Sequence, residues 1–343
     1  PRRRRPNFWT MMKKLFLGLL TIILITAAIL VFRATTTFHD QQLEPATGIG
    51  EINLDQSGAV QRFSRALTYP TISYDDRSNF DAGAFRDFHD FLETSYPLVH
   101  ERASKTVVSD YSIVYHLQGS DSALKPVLFM GHMDVVPIEE ITRDEWTHPP
   151  FDGVVEDGII WGRGSVDDKF TVIALMEAME LLLSEGTRPR RSVYFAFGHD
   201  EEVGGKEGAA EVAKYFKSQG VTFEYVMDEG GVVLEGMIPD IDQPVAIIGV
   251  SEKGYVNLVL TVNSHGGHSS HPPAQTALGI LRRAIVKVED NPFPAKLDYF
   301  YPTFETLGVE MPFGKRLVMS NLWLFSPLVK KVMLQSKDDA AGL

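Results

Sequence analysis

The chain has 343 residues, of which 44% are hydrophobic and 23% charged, so it is long enough for more than one globular domain. Its net charge is −12, and this acidic balance argues against a nucleic-acid partner, which would need a basic face. There is no cysteine, which excludes disulfides and thiolate ligands, so any transition-metal site has to use histidine and carboxylates.

The N-terminal segment is apolar and follows basic residues. Residues 15–32 carry no charge, Lys13 and Lys14 precede them, and Arg33 follows. Such a stretch can just span a bilayer, and its basic flank favours a cytoplasmic N-terminus. We therefore predict a membrane anchor over residues 1–33, with the remainder lumenal, vacuolar or extracellular. A cleaved signal peptide, which would give a secreted protein, and a buried core helix are the alternatives.

Strand and helix patterns alternate after a polar linker, which we place at residues 34–60. Phe85, Phe88 and Phe91 recur at helical spacing and predict a helix over residues 80–96. Further helices are predicted at 170–183 and 211–219, with strands at 112–117, 126–130, 192–197, 225–227 and 245–250. This alternation indicates an α/β sheet covered on both faces, with active residues at the strand ends.

The sequence pattern changes after residue 251, where a second, smaller domain is expected. An alternating strand is predicted at 255–262, and helices are predicted at 274–288 and 328–335. We therefore divide the chain into a catalytic domain at 61–250 and a partial second domain at 251–343.

Four clusters of metal-ligand side chains follow predicted strands. In the first, His132 and Asp134 share one face of an extended backbone, so the carboxylate could fix the imidazole of a ligand. In the second, two adjacent aspartates open a helix. Asp168 suits an N-cap, whereas Asp167 could bridge two cations through its two oxygens.

The third cluster places Asp200, Glu201 and Glu202 directly after an apolar strand, and the fourth places Asp228 and Glu229 after a short one. Consecutive acids repel one another and are costly unless a cation is present, although a solvated loop is the alternative. Together the clusters suit zinc, manganese or cobalt, and a pair of such ions is a standard hydrolytic device.

The chain resembles the zinc exopeptidase family of carboxypeptidase S, aminoacylase, carboxypeptidase G and succinyl-diaminopimelate desuccinylase. The resemblance rests on G-H-x-D-V-V-P at 131–137, W-x-x-P-P-F at 146–151, G-R-G-x-x-D-D-K at 162–169 and D-E-E-x-G-G at 200–205. D-E-G-G at 228–231 and S-E-K-G at 251–254 are most similar to the branch of carboxypeptidase S and the N-fatty-acyl-amino acid synthase/hydrolases.

That resemblance implies a fold and a ligand set. The fold would be a mixed sheet flanked by helices, with an inserted, smaller α+β lid and dimerisation domain that is truncated at the C-terminus. Two zinc ions, replaceable by cobalt or manganese, would be bound. His132 and Asp228 would hold one ion, Glu202 would hold the other, and Asp167 would bridge them. Glu229 is adjacent to Asp228 and chemically able to replace it.

The resemblance also implies catalytic roles. Glu201 would be the general base that activates water and later protonates the leaving amine. Asp134 would orient His132. His268 would stabilise the oxyanion and could serve the partner subunit's site in a homodimer.

One departure from the family pattern concerns the last zinc ligand. The family takes a final histidine from a segment beyond the smaller domain, and this sequence has no histidine after His271. An incomplete copy of a longer protein is therefore expected, with a lost ligand as the alternative.

The resulting functional prediction is a dinuclear zinc hydrolase of an amide bond next to a free carboxylate. The substrate would be a small peptide or an N-acyl amino acid, and the reaction could also run in reverse. A deacylase for another N-acyl substrate is one alternative. A non-catalytic, membrane-tethered binding protein is the other, although it would not need Glu201.

Overall fold

The computed structural model describes residues 8–39, 52–250, 254, 256–268 and 270–336. The chain divides into two compact units, one formed by Gly48–Gly230 and the other by Pro1–Thr47 together with Gly231–Leu343. The predicted domain boundaries at 60 and 250 thus differ from the limits of these units.

The second of these units begins with a long apolar helix, α1 (Phe8–Thr36). Its segment Met11–Thr36 has 26 residues, and the most apolar 18-residue window of that segment has a mean hydropathy of 2.9 and is not buried. At a rise of 1.5 Å per residue it is about 39 Å long, which is enough to cross a hydrocarbon core of about 30 Å. A signal sequence is also apolar and N-terminal, so the membrane anchor and the cleaved signal peptide both stay predictions for this segment.

The Gly48–Gly230 unit contains five α-helices and seven strands within its described residues. The helices are α2 (Gln56–Leu67), α3 (Ala82–Ser95), α4 (Pro97–Arg102), α5 (Lys169–Ser184) and α6 (Ala209–Ser218). The strands are β1 (Ser104–Val108), β2 (Ser112–Leu117), β3 (Val127–His132), β4 (Val155–Glu156), β5 (Ile159–Ile160), β6 (Val193–Gly198) and β7 (Val226–Met227).

Five of these strands form a mixed sheet in the order β1-β2-β6-β3-β7. β1 and β2 pair antiparallel, β2 pairs antiparallel with β6, and β3 pairs parallel with both β6 and β7. In the β3–β6 register His132 is opposite Gly198. The carboxyl ends of three strands therefore meet at one edge, which is where ligands bind in sheets of this kind.

Helices cover both faces of the sheet, as predicted. On one face the side chains of Tyr115 and Phe197 pack with those of Phe88 and Met176, which belong to α3 and α5. On the other face Leu128 and Ala196 pack against α6. Alternate residues of one strand enter different clusters, as expected for a strand that is buried on both sides.

Most predicted elements are confirmed, and the differences that bear on the site or on a predicted element are the following. α2 begins at Gln56, inside the segment predicted as linker, and the Asp55 side chain caps it by accepting from the Gly58 backbone N–H at 3.0 Å. The antiparallel edge strand β1 and the short α4 were not predicted. The strand expected at 255–262 is wrong, because residues 256–262 have no strand hydrogen bonding.

The other unit continues with a small sheet and four helices. β8 (Val232–Leu234) pairs antiparallel with β9 (Val245–Ile247), so the strand predicted at 245–250 does not join the five-stranded sheet. The helices are α7 (Ala277–Glu289), α8 (Tyr301–Leu307), α9 (Phe313–Met319) and α10 (Leu322–Met333). A small core of Leu297, Phe304, Leu322 and Val329 holds the last helices together.

Candidate metal centre

The candidate site lies at the edge where β3, β6 and β7 end. His132 is the last residue of β3. Glu201 and Glu202 begin a short 3-10 turn that follows β6, and Glu229 comes two residues after β7. Because these three strands are parallel neighbours, side chains far apart in the sequence meet at one edge.

The His132 ring is buried and held in a defined orientation. The side chain is 2% exposed, and Nδ1 donates to the backbone carbonyl of Asp134 at 2.9 Å, with Asp134 Oδ1 3.3 Å away. This arrangement fixes the ring and directs Nε2 towards the carboxylates that follow the strands. Nε2 is therefore the ring atom of His132 that faces the carboxylates.

Several carboxylates surround Nε2 of His132. Asp167 Oδ1 lies 3.0 Å from it, Glu229 Oε2 lies 3.3 Å away, and Glu201 Oε2 lies 3.8 Å away. Two sets of three residues offer ligand atoms that all lie within 4.8 Å of one another. One set is His132, Asp167 and Glu202, and the other is His132, Glu201 and Glu229.

The electrostatics of this cluster favour a cation. Burial lowers the pKa of His132, but hydrogen bonds and charges from Asp134 and Glu229 outweigh it and raise the pKa to about 12. Burial and the neighbouring charge of Asp167 raise the pKa of Glu202 to about 7. Carboxylates crowded around an imidazole therefore stabilise added positive charge, which a proton or a metal ion can supply.

The residues present fit a divalent metal. Imidazole nitrogen and carboxylate oxygen are the donors that zinc, cobalt and manganese accept. The two sets share His132 and differ in their carboxylates, and Asp167 is 68% exposed at the side chain, so it is accessible from solvent. The arrangement provides one imidazole and four carboxylates at a single point of the fold.

Asp134 connects the histidine to the acidic loop. Its carboxylate is fully buried, and it accepts from the backbone N–H groups of Glu201 and Glu202, each at 3.1 Å. Burial raises the pKa of Asp134, but hydrogen bonds from His132 and Ser73 and from this loop outweigh it and lower the pKa. The predicted role of orienting His132 is consistent with this position, and Asp134 also holds the loop that carries Glu201 and Glu202.

Asp168 occupies the N-cap position of α5, as its sequence context suggested, but its carboxylate has another partner. Oδ2 accepts from the backbone N–H of His132 at 3.1 Å. A Cβ at Gly131 would come within 2.8 Å of that oxygen, so the glycine of G-H-x-D is needed for this close approach. The Asp167 carboxylate thus lies beside Nε2 of His132, and the Asp168 carboxylate accepts from the backbone N–H of the same residue.

Two predicted site residues are not members of the two sets of ligand atoms. Asp228 Oδ1 accepts from the backbone N–H of Glu229 at 3.0 Å, and neither set of ligand atoms includes Asp228. The alternative, Glu229, is the residue that lies beside His132. His268 belongs to the other unit, where Nδ1 pairs with the Ser270 hydroxyl at 2.8 Å, so its role stays a prediction.

Sequence reasoning missed two buried polar residues beside the site. Ser73 donates from Oγ to Asp134 Oδ2 at 2.5 Å. Lys169 is fully buried, donates from Nζ to the Ala66 and Tyr69 carbonyls, and has a pKa lowered by burial to about 7. The final K of G-R-G-x-x-D-D-K was a signal for Lys169, whereas nothing in the spacing around Ser73 indicated its partner.

Comparison with known proteins is consistent with this arrangement. The model for peptidase family M20/M25/M40 matches residues 128–319. The probable carboxypeptidase S-like 2 of Dictyostelium discoideum is 43% identical over 278 residues, covering 80% of this chain and 53% of the relative. The N-fatty-acyl-amino acid synthase/hydrolase of Homo sapiens is 40% identical, covering 78% of this chain and 53% of that protein.

Carboxypeptidase S of Saccharomyces cerevisiae is 35% identical, covering 76% of this chain and 46% of the relative. The chain thus spans about half the length of the curated relatives it matches. Among solved structures, human carnosine dipeptidase 1 matches with a TM-score of 0.43 and 21% identity, covering 51% of this chain and 38% of that one.

Proposed function

The chain belongs to peptidase family M20/M25/M40, and from that premise we propose a metal-dependent hydrolase of an amide bond next to a free carboxylate. The substrate class is a small peptide or an N-acyl amino acid, and the same site could also form the bond. The observation that carries this proposal is the meeting of His132, Asp167, Glu202 and Glu201 at one sheet edge. The names of the relatives, carboxypeptidase S and N-fatty-acyl-amino acid synthase/hydrolase, support the substrate class.

We propose two zinc ions as the resident cofactors, with cobalt or manganese as substitutes. His132, Asp167, Glu202 and Glu229 are the proposed ligands. Asp167 is the proposed bridge because its carboxylate lies beside His132 Nε2 and is 68% exposed. When bound, such ions supply Lewis acidity and lower the pKa of water. The donor chemistry of these side chains supports this metal class.

Glu201 is the proposed general base. Its side chain is half exposed, so solvent water reaches it, and burial of the remaining part raises its pKa above the ordinary value. A raised pKa lets a carboxylate take a proton from water and return it to the leaving amine nitrogen. Asp134 holds the Glu201 backbone, and so it fixes where that carboxylate can reach.

The two alternatives differ from this proposal in different features, the binding protein in the role of Glu201 and the deacylase in its acyl pocket. A binding protein needs no proton acceptor, so the position of Glu201 beside the cluster supports catalysis. A deacylase of another N-acyl substrate would use the same residues and differ only in the pocket for the acyl group. Substrate assays therefore decide between the two enzymes, and catalysis itself decides against the binding protein.

The test is a substrate panel on the protein purified from its native membrane or medium. We expect two divalent ions per chain by elemental analysis. We also expect hydrolysis of dipeptides or of N-acyl amino acids with a free carboxylate. The matched control is each compound with its carboxylate converted to an amide, which should be a poor substrate. Metal content with no hydrolysis of any compound would contradict the enzyme and favour the binding protein.

We further propose that α1 anchors the protein with the residues that follow it outside the cytoplasm, because Lys13 and Lys14 lie at its N-terminal side. Protease added to intact vesicles should leave the Gly48–Gly230 unit undigested, and detergent should make it sensitive. Digestion without detergent would reverse the topology. A soluble product trimmed near residue 34 would instead identify a cleaved signal peptide.

A further inference from the structure

A segment next to α2 lies alongside the end of β3. The Val135 backbone N–H donates to the Thr71 carbonyl at 3.0 Å, and the Ser73 N–H donates to the Val135 carbonyl at 3.2 Å, which makes a parallel bridge between Ile72 and Val135. The Thr71 hydroxyl also donates to the Met133 carbonyl at 2.6 Å. Residues 71–73 are thereby fixed beside the H-x-D segment.

The side chain of Ser73 contacts the carboxylate of Asp134. It is 1% exposed, and its hydroxyl donates to Asp134 Oδ2 at 2.5 Å. The same oxygen accepts from the Glu202 N–H, while Oδ1 accepts from the Glu201 N–H. A buried carboxylate is costly unless its oxygens are hydrogen-bonded, and Ser73 is the side-chain hydroxyl that meets this need.

The position of Ser73 is itself supported by a buried lysine. Lys169, which starts α5 next to Asp168, donates to the Ala66 and Tyr69 carbonyls at the end of α2. Its Nζ also lies 5.1 Å from the centre of the Phe88 ring. These contacts hold the chain just before residues 71–73, so the hydroxyl of Ser73 reaches Asp134 from a fixed backbone.

We propose that Ser73 is a positioning residue of the metal centre, acting through Asp134 on His132 and on the Glu201–Glu202 loop. This inference rests on the proposed function and deepens it. Hydrogen-bond partners behind metal ligands typically change metal affinity about 10–100-fold when they are removed. Loss of the Ser73 hydroxyl leaves Oδ2 with the Glu202 N–H alone and so loosens the carboxylate that orients both the imidazole and the loop.

The test compares Ser73→Ala with Ser64→Ala in the whole protein. Ser64 is a matched control, because its hydroxyl also donates at 2.5 Å, but to the Gly153 carbonyl. After chelation, Co²⁺ is added back, and its affinity is measured against a competing chelator together with its visible absorption spectrum. Ser73→Ala should weaken Co²⁺ binding by roughly tenfold or more and alter the spectrum. Ser64→Ala should alter neither, even if both variants lose thermal stability.

A double-mutant cycle separates this role from simple loss of stability. If Ser73 acts through Asp134, then Ser73→Ala should have little further effect on Co²⁺ affinity in an Asp134→Asn background. Should Ser73→Ala not fold, Ser73→Cys replaces it, since a thiol is a weak donor of similar size, and a decrease in affinity is again expected.

Two outcomes would overturn the inference. Equal Co²⁺ affinity and spectra for Ser73→Ala and Ser64→Ala would do so, as would additive effects of Ser73→Ala and Asp134→Asn. In both cases the proposed function survives, because the unsubstituted protein binds the ion. Failure of the unsubstituted protein to bind Co²⁺ would overturn the proposed function and this inference with it.

Discussion

Replacement of Glu201 by glutamine is expected to lower the rate of hydrolysis by about 10² or more while the metal content stays unchanged. Glutamine has nearly the shape of glutamate, but it cannot accept the proton from water. The Glu201 backbone N–H would still donate to Asp134, so the loop should keep its position. The measurement is kcat on the best substrate of the panel, with the metal content of the same sample determined in parallel.

Two further variants show whether the effect of Glu201→Gln is specific to a general base. Glu202→Gln should lose metal, because Glu202 shares a set of ligand atoms with His132 and Asp167. Glu207→Gln is the neutral control, since Glu207 lies on the same loop, is half exposed and pairs with Arg77. If Glu201→Gln and Glu202→Gln lost metal equally and kept similar rates, the assignment of base and ligand would be incorrect.

The sheet and the position of the site were predictable because they depend on local patterns. Apolar runs predicted β2, β3 and β6 to within two residues, and the predicted runs of β3 and β6 were each followed by a glycine and then a histidine. In a parallel arrangement such residues must meet at one edge, whatever the details of packing. The prediction that His132 and Glu202 belong to one site therefore needed only the order of strands and the direction of pairing.

The contacts behind the ligands were not predictable in the same way. Ser73 and Asp134 are separated by 61 positions, and the bridge that joins their segments has no hydrophobic period of its own. Asp168 sits where an N-cap is expected, yet its carboxylate turns to the backbone of His132. The hydrogen-bond donor that each of these carboxylates accepts from is set by three-dimensional packing, and sequence spacing does not reveal it.

The strand that was predicted wrongly has a similar explanation. Alternation of apolar and polar residues over 255–262 predicts a strand only if a partner strand and a buried face are available. In the described part, Val256 and Val259 are among the exposed apolar side chains. The pattern alone therefore did not specify a strand, whereas β2 has partner strands on both sides.

The acidic pair after β7 provides the sharpest remaining test of the site. The resemblance to the family named Asp228 as a ligand, whereas Glu229 Oε2 lies 3.3 Å from His132 Nε2 and Asp228 holds the Glu229 backbone N–H. A hydrogen bond from His132 lowers the pKa of Glu229, so this carboxylate is ionised and ready to bind a cation. We therefore expect Glu229 to be the ligand and Asp228 to position it.

The two variants Glu229→Gln and Asp228→Asn remove one charge each from neighbouring residues, so each is the control for the other. Removing a residue that only supports a ligand typically lowers metal affinity roughly 10–100-fold. Glu229→Gln should lower the affinity of one metal site by more than this, and hydrolysis should be lost with the ion. Asp228→Asn should lower the metal affinity by no more than this roughly 10–100-fold range, because the proposed ligand Glu229 remains. Metal titration followed by elemental analysis measures both. Loss of an ion in Asp228→Asn with full occupancy in Glu229→Gln would contradict the assignment of Glu229 and restore the assignment drawn from the family.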